Sequence, residues 1–281
     1  MSVPKHLQPD PLVTPAKVPA ASGELAALLA APPPGGAAKR GVLLVPGYTG
    51  SKEDFWHLLP ILARAGRRAT AIDLRGQYES GGPEDLTAYS TDALAKDVAS
   101  LLAGSPEPLH LVGHSFGGLV CRAAVLSGAP VSSLTLLGSG PGALGGHRAA
   151  LVEAMRPMLH DGGVPQVWEA TAALNAAAAA LQPPEVRAFI ERRFLASPAA
   201  ALLGMGEELA NAPDRTGELA ASGVPVLVAC GENDDAWSPE EQRQMAERLG
   251  APYVTFPGTG HSPAVDDPDA VAESLETFWT T

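Results

Sequence analysis

Residues 109–118, reading LHLVGHSFGG, constrain this chain more than any other stretch. They begin as an apolar run, cross Gly113-His114-Ser115-Phe116-Gly117, and continue into the helix-like LVCRAAVLSG. The pattern reads as a strand, a sharp turn and a helix, with Ser115 at the tip of the turn. Glycine at 113 and 117 has a physical reason. A side chain two residues from the tip, on either side, would collide with the neighbouring strand and helix, and Gly118 lets the helix pack close. The turn lifts the Ser115 hydroxyl clear of the sheet and leaves the first amides of the helix open to a reacting group. An incidental serine in a glycine-rich turn is the simpler alternative, and the flanking strand and helix patterns argue against it.

The rest of the chain builds around that unit. Residues 1–16 carry several prolines and no period, and read as a loose arm. Residues 24–31 (ELAALLAA) lie between Ser22-Gly23 and a triple proline, and suit a helix or a strand equally. Residues 41–45 form a short apolar run of the kind buried strands show, ending in Pro46-Gly47-Tyr48-Thr49-Gly50-Ser51. Helical spacing follows over 53–65, in Phe55, Leu58, Leu59 and Leu62. A strand is expected over 69–74, with Asp73 at its end as a structural turn residue. An amphipathic helix is expected over 87–102 and another strand over 133–137.

After Gly138-Ser139-Gly140 the alternation breaks. Residues 141–222 hold helical stretches, over 148–159, 164–181, 184–196 and 198–211, and no convincing strand. The rhythm resumes with strands at 224–229 and 253–256, each followed by a helix, over 239–249 and 268–279. Alternating strand and helix predicts an α/β fold, a mostly parallel sheet with helices on both faces. The domain division expected is a core of 1–140 and 223–281, with 141–222 as a helical cap above the strand ends.

Composition excludes some partners. A formal net charge of −12 argues against nucleic acid or an anionic membrane. The first residues lack the apolar core of a signal peptide, and no apolar run reaches the ~18 residues of a membrane span. A cytoplasmic location is the default expectation. Cys121 and Cys230 fall in an apolar helix and strand and read as buried free thiols. No Cys-x-x-Cys, His-Glu-x-x-His or phosphate-binding loop occurs, so neither a metal nor a cofactor is expected.

Ser115, then Asp234 or Asp235 after a late strand, then His261 after the last strand is a suggestive order. Together with Gly113–Gly118, residues 46–51, Gly231-Glu232-Asn233-Asp234 and Gly258-Thr259-Gly260-His261, it resembles the alpha/beta-hydrolase fold family from about residue 41 onward, outside 141–222. The resemblance implies a serine nucleophile with His261 as its base and a carboxylate orienting the imidazole. Of the other histidines, His6 lies in the arm, His57 and His110 inside core elements, and His147 and His160 in the insertion. His114 must point away from the place of a base. The acid has two candidates. Counting from Gly231 selects Asp234, which is preferred; counting back from Pro239 selects Asp235. Glu232 is read as a solvated loop residue. The family's oxyanion donors would be the backbone amides of Phe116 and Tyr48. Pro46-Gly47-Tyr48 stands where the family has His-Gly-x, a departure that leaves a backbone donor intact.

A serine nucleophile sets aside the relatives that open epoxides or displace halide through aspartate. The resemblance implies a hydrolase of carboxylic esters with small to medium, mostly apolar substrates, working through an acyl-enzyme. The alternatives are a thioesterase, lactonase or lyase-type relative, and a non-catalytic binding protein on the same fold. The apolar residues Met155, Met158, Trp168, Leu174, Phe189, Phe194, Leu202, Leu203 and Met205 are expected to pack the insertion and to roof Ser115. The pocket they form is expected to be largely apolar, with no cationic clamp, and the charges of the insertion are expected on the opposite sides of these helices or in turns. The expected partner is a small-molecule ester or thioester.

Overall fold

A computed structural model describes residues 2–35 and 38–280. Among these residues eight strands form one sheet in the order β1-β2-β4-β3-β5-β6-β7-β8. In chain order the first strands are β1 (Val13–Ala20), β2 (Gly23–Ala30) and β3 (Lys39–Val45). Helix α1 (Leu58–Arg64), strand β4 (Arg67–Ile72), helix α2 (Thr91–Ala103) and strand β5 (Leu109–His114) follow. Then come α3 (Phe116–Leu126) and β6 (Val131–Leu137). The pairings from β3 to β8 are parallel, and those of β1 with β2 and β2 with β4 are antiparallel.

Between β6 and β7 the chain is helical. It runs through α4 (Gly146–Asp161), α5 (Gly163–Leu174), α6 (Ala176–Ala179), α7 (Pro184–Leu195), α8 (Ala199–Asn211) and α9 (Thr216–Ala221). The core closes with β7 (Val226–Gly231), α10 (Pro239–Leu249), β8 (Tyr253–Phe256), α11 (Pro263–Asp266) and α12 (Pro268–Thr280). Leu111, Phe116, Leu134 and Val228 belong to the core on one face of the sheet. Val112, Leu44, Leu58 and Val271 belong to the core on the other. Neighbouring Leu111 and Val112 thus point to opposite layers, the alternation a two-faced sheet requires. No helix among the described residues is long and apolar enough to cross a membrane.

The fold class matches the sequence expectation, and four local readings need correction. Residues 13–16 are not part of a loose arm but open β1. Its two prolines, Pro15 and Pro19, are compatible with a strand because β1 is the sheet's edge, where a missing N–H removes no second ladder. The helix expected over 53–65 is a 3₁₀ turn at Lys52–Phe55 followed by α1, and that over 87–102 is likewise a 3₁₀ turn (Leu86–Tyr89) and then α2. Residues 164–181 break at Asn175 into α5 and α6. The ambiguous segment 24–31 is a strand, held between β1 and β4.

The strand order reverses direction at β3. Its successor β4 lies to one side and β5 to the other. Loops leaving β3 and β5 therefore diverge above the sheet and leave a crevice at its carboxyl edge, where open parallel sheets bind ligands.

Candidate active site

Ser115 occupies that crevice in a strained conformation, with φ 54 and ψ −123. A non-glycine residue at positive φ persists only where its surroundings over-determine it. Here the Ser115 amide donates to the Leu137 carbonyl at 2.9 Å, and its carbonyl accepts from Gly118 at 2.9 Å. A β-carbon at Gly113 would stand 2.5 Å from the Gly117 carbonyl oxygen. One at Gly117 would stand 2.5 Å from the Val45 oxygen, and one at Gly118 would lie 2.5 Å from Ser139 Cβ. The three glycines let helix, strand and neighbouring loop meet beneath the serine.

His261 and Asp234 reach the same point from strands β8 and β7, farther along the same sheet edge. His261 follows β8, and its Nε2 lies 2.9 Å from Ser115 Oγ. Its Nδ1 lies 2.8 Å from Asp234 Oδ1. An ionised carboxylate only accepts, so Nδ1 carries the proton and Nε2 is left to accept from the serine hydroxyl. Asp234 is fixed by more than the imidazole. Its Oδ1 also accepts from the Ala236 amide at 2.9 Å, and its Oδ2 accepts from Gln242 Nε2 at 3.0 Å. Gln242 is fully buried and also donates to the Trp237 carbonyl at 2.8 Å. Asp235 lies apart from the imidazole. Its oxygens accept from Arg148 Nε at 3.0 Å and Nη2 at 2.7 Å, and its side chain is 58% exposed.

The loop after β3 borders the serine. A β-carbon at Gly47 would lie 3.4 Å from Ser115 Oγ. Gln77 anchors this loop: its Nε2 donates to the Gly47 carbonyl at 2.6 Å and the Tyr48 carbonyl at 3.2 Å. Its Oε1 accepts from the Leu74 amide at 2.9 Å. With both carbonyls turned to Gln77, the peptides of the loop are held in one orientation. Asp73 accepts from the Lys52 amide at 2.7 Å and its Nζ at 3.0 Å, which ties down the far end of the loop, a structural role. The Tyr48 hydroxyl donates to the Leu202 carbonyl of α8 at 2.6 Å. Phe116 is the first residue of α3, so its amide belongs to the first-turn N–H groups that no helix carbonyl takes.

Sequence reasoning missed Gln77, Gln242 and the part played by His114. Neither glutamine lies in a recognisable pattern, since each acts through contacts made only on folding. His114 does point away from Ser115, and its Nε2 donates to the His261 carbonyl at 2.8 Å. Burial, and then the neighbouring His261, push its pKa down to about 4, so it is a neutral donor at physiological pH. Glu232 accepts from the Gly258 amide at 2.9 Å and takes no part in the site.

A cavity of about 450 Å³ opens over Ser115 and His261 and extends to α4 and α5. Leu151, Val152, Met155, Met158, Val167 and Phe194 give it an apolar side. Trp168 and Leu202 pack the interior of the insertion with Phe194, Phe189 joins a separate cluster on α7, and Met205 belongs to the main core. The expectation that charges turn away from the cavity is corrected. Arg148 and Asp235 both line it, as do His147 and Asp54. Arg148 sits on the first inward turn of α4 and its guanidinium is occupied by Asp235.

The chain is similar to several known proteins. A protein named "Putative carbamate hydrolase RutD" from Variovorax paradoxus is 31% identical over 245 residues, covering 84% of this chain and 90% of that one. A pimeloyl-[acyl-carrier protein] methyl ester esterase from Edwardsiella ictaluri is 29% identical over 252 residues, covering 86% and 94%. Among solved structures, an enol-lactonase from Burkholderia xenovorans superposes with a TM-score of 0.75 at 21% identity, covering 95% of this chain and 100% of that one. A family model described as the alpha/beta hydrolase family matches residues 42–274, and with that extent of likeness this chain belongs to the alpha/beta hydrolase family.

Proposed function

We propose that this protein is a serine hydrolase that cleaves carboxylic esters of small to medium, mostly apolar substrates. The observation that carries this reading is the continuous array from Ser115 Oγ through His261 to Asp234, with links of 2.9 and 2.8 Å, opening into a cavity. A serine hydroxyl is a weak nucleophile near neutral pH, and this array supplies what it lacks.

In the proposed cycle Ser115 Oγ attacks the ester carbonyl carbon while its proton passes to His261 Nε2. Asp234 holds the imidazole in the accepting tautomer and stabilises the imidazolium. The carbonyl π pair moves to oxygen, which takes the amides of Tyr48 and Phe116 as donors. Collapse of the tetrahedral adduct expels the alcohol, which leaves with the proton from Nε2. Water then attacks the acyl-serine, giving its proton to Nε2, and the second collapse returns the proton to Ser115 and frees the acid. Helices α4–α9 act as a cap that roofs the acyl group. The division into a core of 1–140 and 223–281 and a cap of 141–222 follows from that role.

The relative named as a methyl ester esterase supports ester hydrolysis and leaves the leaving group of this chain's substrate open. The test is labelling by a serine-reactive fluorophosphonate, followed by a steady-state panel of esters, thioesters and lactones. Labelling that is lost in Ser115→Ala, with ester turnover, is expected. Wild-type protein that neither labels nor turns over any acyl substrate fits a non-catalytic binding member and overturns the reading.

A further inference from the structure

The segment ahead of β1 is tied down by contacts along its whole length. Ser2 is buried and lines the same cavity as Ser115 and His261. Its hydroxyl lies 2.9 Å from the hydroxyl of Ser262, the residue after His261. Its carbonyl accepts from Arg193 Nη2 on α7 at 2.7 Å. Arg193 is 1% exposed, and its Nη1 donates to Asp54 Oδ1 at 2.7 Å and to Ser51 Oγ at 3.3 Å. Lys5 Nζ donates to the Asp266 carbonyl at 2.7 Å, and the Asp266 carboxylate accepts from the Gly260 amide at 2.8 Å. Val3 and Leu7 pack against Val186, Phe189 and Ile190 of α7. Residues 2–7 are therefore wedged between α7 and the loop that carries His261.

A segment outside regular structure is held in one place only where contacts offset the entropy of fixing it. This one satisfies a buried guanidinium, which would otherwise lose an acceptor at considerable cost. Its position has a second consequence. Ser2, Gly50 and Asp54 line the cavity together with residues of α4 and α5. A small polar residue from the segment ahead of the sheet thus lines the cavity that His261 also lines.

We propose that residues 2–5 are a specificity wall of the active site, with Ser2 setting how large a substrate group fits beside His261. The proposal rests on the ester-hydrolase reading. It assigns a selective role to a segment that the sequence marks only as proline-containing and aperiodic.

Two variants test it: deletion of residues 2–5, and Ser2→Leu in the full chain. Each is assayed for kcat/KM on esters graded in length on the acyl side and on the alcohol side. Each added methylene that finds room is worth up to about fourfold. The deletion is expected to raise the long-to-short ratio about tenfold in one of the two series. Ser2→Leu should lower the ratio in that same series, with the pH profile of both variants unchanged. A common factor across all esters, or no change, makes the segment a structural support and overturns the wall. Should the deletion fail to fold, the Ser2→Leu profile decides alone. Fluorophosphonate labelling of Ser115 in parallel separates this from failure of the ester-hydrolase reading. If Ser115 proves unreactive, the thermal shifts given by neutral alkyl amides of graded length read the same wall without turnover. A length optimum displaced in opposite directions by the two variants supports it, and one left in place overturns it.

Discussion

His114 Nε2 donates to the main-chain carbonyl of His261 at 2.8 Å, so the strand that presents Ser115 also holds the loop that presents its partner. In the proposed cycle the distance between Ser115 and His261 matters most, and both are thereby referenced to adjacent positions, 114 and 115. A displacement on the order of 1 Å at a reacting pair costs up to about a hundredfold in rate. His114→Leu, which keeps bulk and removes the donor, is expected to lower kcat ten- to a hundredfold, on the order of that positioning effect, with KM little changed. His114→Gln can still donate and should recover part of the loss. Steady-state kinetics on one ester, with circular dichroism to verify the fold, checks both. Equal activity in wild type and His114→Leu would remove the positioning role.

The carboxylates at 234 and 235 should separate cleanly. Asp234 is buried, with both oxygens engaged by His261, Ala236 and Gln242. Asp234→Asn should reduce kcat by about 10³–10⁴, because an amide no longer favours the required tautomer or the imidazolium. Asp235 pairs with Arg148 where its side chain is 58% exposed, and such pairs are weak. Asp235→Asn should leave kcat within about threefold, the scale of an exposed ion pair. Reversed magnitudes would assign the acid to Asp235.

How much of this was legible in the sequence depends on the range over which each feature is specified. The turn at 113–117 is local: its glycines answer to atoms within the same strand-turn-helix unit and the strand beside it, so the sequence displays it. The choice between Asp234 and Asp235 is not local. Both lie in one loop, and what separates them is Gln242 on α10 and Arg148 on α4, brought in only by the fold. Strand β1 escaped notice because its prolines forbid a central strand, and nothing in residues 13–20 says that they form an edge. The place of Arg148 in the cavity is not legible either, because helical periodicity gives the face of a helix but not what that face meets.

Acid should unfold the protein partly through His110. Its Nδ1 lies 2.8 Å from Ser133 Oγ, and its ring stacks on Trp279 with centroids 4.5 Å apart. Burial, and then Arg67 and Arg40, bring its pKa from the ordinary 6.5 down to about 4. Between those values the unfolded chain binds a proton that the folded one refuses, so stability falls as pH drops from 6.5 toward 4. At about pH 5 the loss from this residue is about 2 kcal/mol relative to neutral pH. Urea unfolding of wild type and His110→Gln near pH 7.5 and pH 5 measures it. The stability gap between the two should change in favour of the variant by about that amount on acidification. A gap independent of pH would mean that His110 titrates at its ordinary value.

The cavity itself makes the last prediction. Its α4 side is lined by Leu151, Val152, Met155 and Met158, and adaptable thioethers suit an alkyl chain. Each methylene of a straight-chain acyl ester should improve binding by at most about 0.8 kcal/mol until the space is full, after which kcat/KM declines. Arg148 is the charged group that could reverse the preference, because it lines the same cavity. Its two bonds to Asp235, at 3.0 and 2.7 Å, already neutralise it. An anionic acyl group would have to displace Asp235 and leave a second carboxylate beside Asp234. Neutral esters should therefore exceed hemiesters of dicarboxylic acids in kcat/KM, and Arg148→Ala should change the neutral series by no more than about threefold, as expected of a half-exposed pair. The decisive comparison is the ratio of neutral ester to hemiester in wild type and Arg148→Ala. A preference for the hemiester that disappears with the arginine would make Arg148 a carboxylate clamp and end the case for an apolar acyl pocket.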